Sequence, residues 1–246
     1  GVPVLRIGNP SRVNDKMLSF TYERRFEGHP AYTELWGIRK SIREMGNRMR
    51  KSSYSEREAA RSRINHLRER ATELEIQINE DLFSGARVIA STLVSSNHRI
   101  LTGRRFTTLF IDEAAQALEA ACWIAIRKAD RVIFAGDHCQ LPPTIKCIEA
   151  ARNGLEQTLM EKVAANKQET VSLLKVQYRM HQSIMQFSSE WFYQGELQAA
   201  PEVTNRGILD LDLPMSWIDT SEMEFHEEFV GESFGRINKP EANLLL

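Results

Sequence analysis

Apolar positions follow two different spacings along the chain, and the change of spacing divides the sequence. Between residues 31 and 81, apolar side chains recur every three or four positions, which predicts amphipathic helices. A serine-rich stretch separates two such runs, and Ser55 with Glu58 three residues later forms a capping-box start for the second helix. We therefore predict an antiparallel helical hairpin over residues 31–80. The apolar positions are Leu35, Ile38, Ile42, Met45 and Met49 in the first run and Ala60, Ile64, Leu67, Ala71, Leu74 and Ile78 in the second.

From residue 86 onward, short apolar runs alternate with segments of helical character. Strands alternating with helices indicate a parallel sheet in an α/β fold. The predicted strands lie at 87–92, 108–111, 131–135, 171–176 and 215–219, with another at 4–7 near the N-terminus. The predicted helices lie at 114–128, from a cap at Asn153 to about residue 165, at 181–193, and from residue 243 onward.

The composition is that of a chain with a packed core. Hydrophobic residues make up 42% and charged residues 26% of the 246 positions. No apolar run approaches the ~18 residues that a membrane span needs, so no membrane partner is expected. The three cysteines lack the spacing of a metal site, and their odd number argues against a disulfide framework. We therefore expect reduced thiols and a cytoplasmic location.

Charge is balanced overall but not locally. The net charge of −1 says nothing about a polyanionic partner. Residues 39–63, at the turn of the predicted hairpin, carry nine Lys or Arg against three acids. This stretch is either a nucleic-acid contact or the solvated face of an exposed hairpin, and both interpretations stay open. Residues 207–235 carry eight acids and no Lys or Arg, which predicts mostly loop.

Two adjacent carboxylates follow the predicted strand at 108–111. Open α/β sheets bind ligands at the carboxyl ends of their strands, where Asp112 and Glu113 lie. Desolvating two acids there is costly unless a cation is present. In a nucleotide hydrolase the first acid holds Mg²⁺ and the second takes a proton from the attacking water. The alternative is a helix whose first turn carries acids, which suits the helix dipole.

Two further strand ends carry side chains suited to phosphate chemistry. After the strand at 131–135, Gly136 allows a tight exit, and Gln140 offers both a donor and an acceptor. After the strand at 171–176, Tyr178 offers a flat face for a base, and Arg179 can fork onto a phosphate. The structural alternatives are a loop cap for Gln140, a core-edge aromatic for Tyr178 and a salt-bridge partner for Arg179. We interpret Asp137 as structural.

Three ordered segments carry a resemblance to a known family. Residues 111–120 (IDEAAQALEA), 135–144 (AGDHCQLPPT) and 176–185 (VQYRMHQSIM) resemble motifs of the superfamily 1 helicases. They are most similar to the 5′-to-3′ branch that includes the nonsense-mediated-decay RNA helicase and immunoglobulin-mu-binding protein 2. The resemblance implies a P-loop NTPase built from two RecA-like domains. It implies a partial first domain at 1–30 and 81–170, the hairpin of 31–80 inserted into it, and the start of a second domain at 171–246.

The resemblance also implies a role for each site residue, with ATP and Mg²⁺ as cofactors. Asp112 would hold the metal, Glu113 would activate water, and Gln140 would sense the γ-phosphate and couple it to nucleic acid. Tyr178 would stack on the adenine, and Arg179 would contact the γ-phosphate across the cleft between the two domains. The implied contacts with single-stranded DNA or RNA are Thr92, Pro143 and Thr144.

One expected motif is missing from the 246 residues: no G-x-x-x-x-G-K-[ST] phosphate loop occurs, and the family places it upstream. We therefore expect a fragment of an ATP-dependent helicase that by itself binds ATP poorly and does not hydrolyse it. One alternative is a non-catalytic nucleic-acid-binding scaffold with a decayed helicase core. Another is a nucleotide hydrolase that unwinds nothing. The sequence does not decide between DNA and RNA or give the oligomeric state.

Overall fold

The computed structural model describes residues 1–49, 54–207, 214–223, 225–231 and 235–244. The chain divides into two compact units, residues 1–169 and residues 170–246. None of the helices in the described ranges combines the length and the apolar character that a membrane span requires.

The described strands of the first unit form two parallel pairs. β1 (Val4–Ile7) pairs with β2 (Val88–Ser91), with Val4 opposite Val88. β3 (Phe106–Ile111) pairs with β4 (Ala129–Phe134), with Phe106 opposite Ala129. Parallel strands need a crossover between them, and helical segments fill both connections. The predicted α/β class is therefore confirmed.

Three helices connect β1 to β2. They are α1 (Tyr22–Glu27), α2 (Tyr32–Met49) and α3 (Tyr54–Ser84). Leu35 near the start of α2 packs with Leu74 and Ile78 near the end of α3. At the other end, residues 41–49 of α2 and 60–67 of α3 line one groove, so the two helices run antiparallel. The capping side chain predicted at Ser55 lies outside the described residues.

Packing rather than charge holds α2 against α3. Leu35, Leu74 and Ile78 are fully or almost fully buried, and burying one such side chain stabilises a fold by roughly 1.5–3 kcal/mol. Two ion pairs also join the helices, Arg39 to Glu75 at 2.6 Å and Arg70 to Glu34 at 3.0 Å. Their side chains are well exposed, and exposed ion pairs contribute little.

The helix predicted at 114–128 begins five residues late. A short 3₁₀ turn covers Ala114–Gln116, and α4 spans Glu119–Ile126. The reason lies in the backbone before the helix, because Glu113 is left-handed at φ 53° and Leu118 is extended at ψ 136°. An α-helix cannot run through either conformation.

The cap predicted at Asn153 is wrong. A short helix α5 (Ile148–Ala150) runs into a π-helical turn at Ala151–Leu155, where Gly154 has φ 92° and breaks the path. The true cap is Thr158, whose hydroxyl accepts from the Glu161 N–H at 3.2 Å while the Glu161 carboxylate accepts from the Thr158 N–H at 2.7 Å. This capping box starts α6 (Leu159–Asn166).

The second unit is built around one helix. β5 (Val176–Gln177) pairs in parallel with β6 (Gln198–Ala199), and α7 (Gln182–Phe192) lies between them in sequence. The buried residues of the second unit are Met185 and Ser189 on α7 and Ala200 and Val203 after β6. Further on are an antiparallel pair, β7 (Glu228–Phe229) with β8 (Arg236–Ile237), and the short helix α8 (Lys239–Leu244).

Two predicted strands in this unit are wrong. The strand predicted at 171–176 is reduced to β5, because residues 171–174 are exposed and pair with no described strand. The strand predicted at 215–219 does not form, and Trp217 within it is 87% exposed. An apolar run with no neighbour to complete its backbone hydrogen bonds has no reason to remain a strand. The helix expected from residue 243 instead begins at Lys239, and residues 245–246 lie outside the described part.

Candidate functional site

The predicted acids lie in a turn at the carboxyl end of β3, which we call the carboxylate turn (residues 111–116). Both sides of this turn are tied to the exit of β4. The Ala135 N–H donates to the Ile111 carbonyl at 2.8 Å, and the Ala114 N–H donates to the Ala135 carbonyl at 2.9 Å. Within the turn, Ile111, Ala114 and Ala115 are buried. Its backbone is therefore fixed independently of the two carboxylates.

Gly136 makes this connection possible because the chain passes too close for a side chain. A Cβ at this position would lie 2.9 Å from the Ala114 nitrogen, 3.0 Å from the Ala115 nitrogen and 3.0 Å from the Met160 sulfur. Two of these neighbours are backbone atoms that cannot move without breaking the turn. The glycine predicted to give a tight exit from β4 thus serves close backbone contact.

Both carboxylates of the turn are exposed. Asp112 accepts a hydrogen bond on Oδ1 from the Glu113 N–H at 3.1 Å, and Gln116 donates to Glu113 Oε2 at 3.4 Å. The backbone of Glu113 is left-handed, with φ 53°. Non-glycine residues adopt this conformation rarely, and the cases that occur are concentrated at functional sites. Within the described ranges, neither acid has a cationic partner in an ion pair. The turn can therefore accept a cation at low cost.

Gln140 lies in the next loop, residues 136–144, which we call the glutamine loop. Its amide nitrogen donates to Asp137 Oδ2 at 2.9 Å, and its backbone N–H donates to the Asp137 carbonyl at 3.2 Å. Asp137 Oδ1 also accepts from the Cys139 N–H at 3.1 Å. Burial, and then the charge of Asp137, raise the pKa of the Cys139 thiol, so it stays protonated at neutral pH. Asp137 is structural in a specific sense, since it holds the Gln140 amide.

The three predicted nucleic-acid contacts differ in exposure. Thr92 is exposed just beyond β2, where its hydroxyl donates to Ser95 Oγ at 2.8 Å and accepts from the Ser95 N–H at 3.2 Å. Thr144 is exposed, but Pro143 is buried. The nucleic-acid contacts of Thr92, Pro143 and Thr144 stay predictions.

Tyr178 and Arg179 lie in the second unit, in residues 178–181, which we call the Tyr–Arg loop. Tyr178 is 64% exposed and Arg179 is also exposed. Gln177 bonds the backbone of this loop through its side-chain amide. His181 caps α7, accepting on Nδ1 from the Ser183 N–H at 3.0 Å. The loop thus presents one aromatic ring and one guanidinium to solvent.

A divalent cation fits the carboxylate turn only as part of a larger complex. Within the described ranges, no three His, Cys, Asp or Glu side chains converge to form a complete metal site. Mg²⁺ is commonly bound through one or two carboxylates plus water and substrate phosphates. The exposed Asp112 carboxylate suits that arrangement.

The described residues of the basic stretch (39–63) lie on the second half of α2 and the first turns of α3. Trp36 is 54% exposed, and the Lys40 ammonium lies 5.4 Å from its ring centroid. Arg43, Arg61 and Arg63 are exposed beyond it. Exposed cations beside an aromatic ring occur in nucleic-acid contacts and also on solvated helices, so both interpretations of this stretch stay open.

Two residues of the site were missed by sequence reasoning. Gln116 donates a hydrogen bond to Glu113, which lies three residues before it. Side chains at this spacing on a helical turn are neighbours, so the sequence could have predicted this contact. Gln177 bonds the Tyr–Arg loop. Nothing in the sequence distinguished its amide from that of any other glutamine.

Comparison with known proteins gives a consistent result. Two family models, each described as an AAA domain, match residues 1–147 and 155–246. DNA-binding protein SMUBP-2 of Rattus norvegicus is 33% identical over 233 residues, covering 89% of this chain and 24% of the relative. ATP-dependent helicase MJ0104 of Methanocaldococcus jannaschii is 29% identical over 243 residues, covering 85% of this chain and 36% of the relative.

A third relative is the Regulator of nonsense transcripts 1 homolog of Drosophila melanogaster. It is 36% identical over 168 residues, covering 65% of this chain and 14% of the relative. The chain therefore spans roughly a third or less of the length of each of these three proteins.

Proposed function

The chain belongs to the AAA domain family and is helicase-like, of the superfamily 1 kind, and from this premise we propose that it forms part of an ATP-dependent nucleic-acid helicase. ATP and Mg²⁺ would be its cofactors, and single-stranded DNA or RNA would be its track. One relative is named an ATP-dependent helicase, which supports the proposed ATP-dependent activity. Another is named a DNA-binding protein, which supports the proposed binding of nucleic acid.

The domain organisation is part of the same proposal. Residues 1–30 and 81–170 would belong to a first RecA-like domain and residues 171–246 to the start of a second. The parallel pairs β1–β2 and β3–β4 support a RecA-like first domain. The α2–α3 pair lies between β1 and β2 in the chain, which supports an inserted hairpin at 31–80.

One observation carries the proposed chemistry: the exposed carboxylates of the carboxylate turn lie on a backbone fixed by the exit of β4. Bound MgATP supplies the phosphoanhydride to be cleaved and the charge of the metal. Asp112 would provide an oxygen ligand from a position that is already exposed. Glu113 would accept the proton of the attacking water.

Gln140 and Arg179 would respond to the terminal phosphate. The Gln140 amide has Asp137 as its partner, and a γ-phosphate oxygen would compete for its N–H groups. Arg179 presents a guanidinium that would balance charge during transfer, and Tyr178 presents a ring that would stack on adenine. The 246 residues contain no phosphate loop, so we propose that they do not hydrolyse ATP by themselves.

Replacing Glu113 in the full-length protein tests this function. Glu113→Gln keeps the shape of the side chain but removes the base, so ATP turnover should fall about 100- to 10,000-fold while ATP binding is retained. Turnover is measured with and without single-stranded DNA and RNA, and binding by fluorescent-nucleotide titration. The matched control is Glu149→Gln, which makes the same change at an exposed acid on α5 and should leave turnover at the wild-type level.

The two alternatives predict different results. A scaffold with a decayed core would show no turnover in the wild-type protein. A nucleotide hydrolase that unwinds nothing would turn over ATP without stimulation by nucleic acid. Wild-type turnover in the Glu113→Gln variant would remove Glu113 from its proposed role.

A further inference from the structure

We propose that Gln177 is a positioning residue that sets the conformation of the Tyr–Arg loop and thereby directs Tyr178 and Arg179 toward the nucleotide. This inference rests on the proposed function, because it assigns a cause to the placement of two residues of the same site.

The Gln177 side chain makes three hydrogen bonds to the backbone of the loop. Its Oε1 accepts from the Arg179 N–H at 2.8 Å and from the Met180 N–H at 2.9 Å. Its Nε2 donates to the Met180 carbonyl at 2.8 Å. One side chain thus satisfies two donors and one acceptor on consecutive residues.

These backbone groups need a partner that secondary structure does not supply. The loop lies between the end of β5 at Gln177 and the start of α7 at Gln182. Its N–H groups are therefore beyond the strand ladder and before the helix. A side-chain amide is suited to them because it accepts and donates at once. Glutamate accepts but cannot donate, and asparagine is one methylene shorter.

Gln177 is itself held firmly. Its carbonyl accepts from the Ala200 N–H at 2.9 Å, and it lies opposite Ala199 in the β5–β6 pair. Ala200 is 1% exposed and lies in the core of the second unit. The Gln177 side-chain amide, which we call the amide clamp, is therefore anchored to a buried residue through its own backbone. A clamp anchored in a buried pair can transmit that rigidity to an exposed loop.

The loop is also fixed from the side of residues 200–206. Arg206 donates to the Arg179 carbonyl at 3.4 Å, and the Gln182 N–H donates to the Thr204 carbonyl at 3.2 Å. The Arg179 backbone is therefore bound at both its N–H and its carbonyl. In contrast, the Tyr178 and Arg179 side chains make no hydrogen bond or ion pair with other described side chains.

A binding loop requires a fixed backbone and side chains that remain available to a ligand, and the Tyr–Arg loop combines the two. A preformed loop loses little entropy when its side chains engage a ligand. A guanidinium that acts on a transferring phosphate must also be placed within a fraction of an ångström, since a misplacement of about 1 Å can cost about 100-fold in rate. Removal of the clamp should therefore affect turnover more than folding.

The test compares Gln177→Met with Arg179→Ala and with the double variant in the full-length protein. Methionine keeps the length of the side chain and removes all three hydrogen bonds. We expect kcat for ATP to fall about 10- to 100-fold and KM to rise, with the melting temperature little changed. In the Arg179→Ala background, the same substitution should cause less than about a 2-fold further loss in kcat, because residues acting as a unit are non-additive.

Controls separate a positioning role from a structural one. Gln186→Met removes an exposed glutamine whose amide bonds Glu190 on α7, and its kcat should match the wild type. Gln177→Glu keeps the two bonds to N–H groups and should recover part of the lost kcat. Equal losses from Gln177→Met in both backgrounds would show a general structural effect and overturn the inference.

The outcomes also separate this inference from the proposed function. If Arg179→Ala leaves ATP turnover unchanged, the proposed role of the Tyr–Arg loop fails and the inference fails with it. If Arg179→Ala lowers turnover but Gln177→Met does not, the function stands and the positioning role is wrong. If Gln177→Met unfolds the protein, then Gln177→Glu decides: a loss of kcat that disappears in the Arg179→Ala background supports the positioning role, and an equal loss in both backgrounds, or no loss, overturns it.

Discussion

The carboxylate turn and the Tyr–Arg loop present their side chains in similar ways but are held in different ways. In the carboxylate turn, backbone hydrogen bonds to Ala135 and the close approach of Gly136 fix the chain. In the Tyr–Arg loop, the amide of Gln177 supplies three of the bonds that fix the chain. The conformation of the carboxylate turn should therefore survive changes of its own side chains, whereas the conformation of the Tyr–Arg loop depends strongly on the side chain of Gln177.

The strongest way to break the backbone-held turn is to put a methyl group at Gly136. Gly136→Ala would force a Cβ to within 2.9–3.0 Å of two backbone nitrogens of the turn. Overpacking of this kind costs roughly 1–3 kcal/mol, and we expect a loss of that size in the free energy of unfolding measured with urea. The matched control is Gly37→Ala in α2, where a Cβ meets nothing within 4 Å and should stabilise the helix by about 0.5–1 kcal/mol. Equal effects of the two substitutions would show that Gly136 is not under close contact.

A milder change sharpens the same contrast. Gln116→Ala removes the one described side-chain hydrogen bond to the Glu113 carboxylate, which is long at 3.4 Å and exposed. Because the backbone holds the turn, we expect ATP turnover in the full-length protein to fall only about 2- to 5-fold, as for a weak hydrogen bond. Steady-state ATPase assays of Gln116→Ala beside Gln177→Met would check the order. A larger loss for Gln116→Ala would reverse our comparison.

The sequence predicted the elements that local pattern determines. The helical spacing of Leu35, Leu74 and Ile78 matches the observed packing of α2 on α3. The apolar run before Asp112 became β3, with the acids at its carboxyl end as predicted. The sequence also predicted which polar side chains follow the strands, because the turns that end strands favour particular residue types.

What the sequence did not predict depends on backbone conformation and on hydrogen bonds between side chain and backbone. The late start of α4 follows from the left-handed Glu113, which no pattern of apolar residues reveals. The helix predicted to begin at Asn153 begins instead after Thr158, because the backbone at Gly154, with φ 92°, interrupts the helical path. The hydrogen bonds of the Gln177 amide depend on the backbone path through Arg179 and Met180, which the pattern of apolar and polar residues does not specify.

The most direct test of the central claim is whether the carboxylate turn and the Tyr–Arg loop act on the same ATP molecule. Single-turnover ATP hydrolysis by the full-length protein would be measured for Asp112→Asn, Arg179→Ala and the double variant. We predict that each single variant loses at least about 100-fold in rate and that the double variant is little slower than the slower single variant, because groups acting on one transition state are non-additive. A wild-type rate in either single variant, or fully multiplied losses in the double variant, would contradict the account.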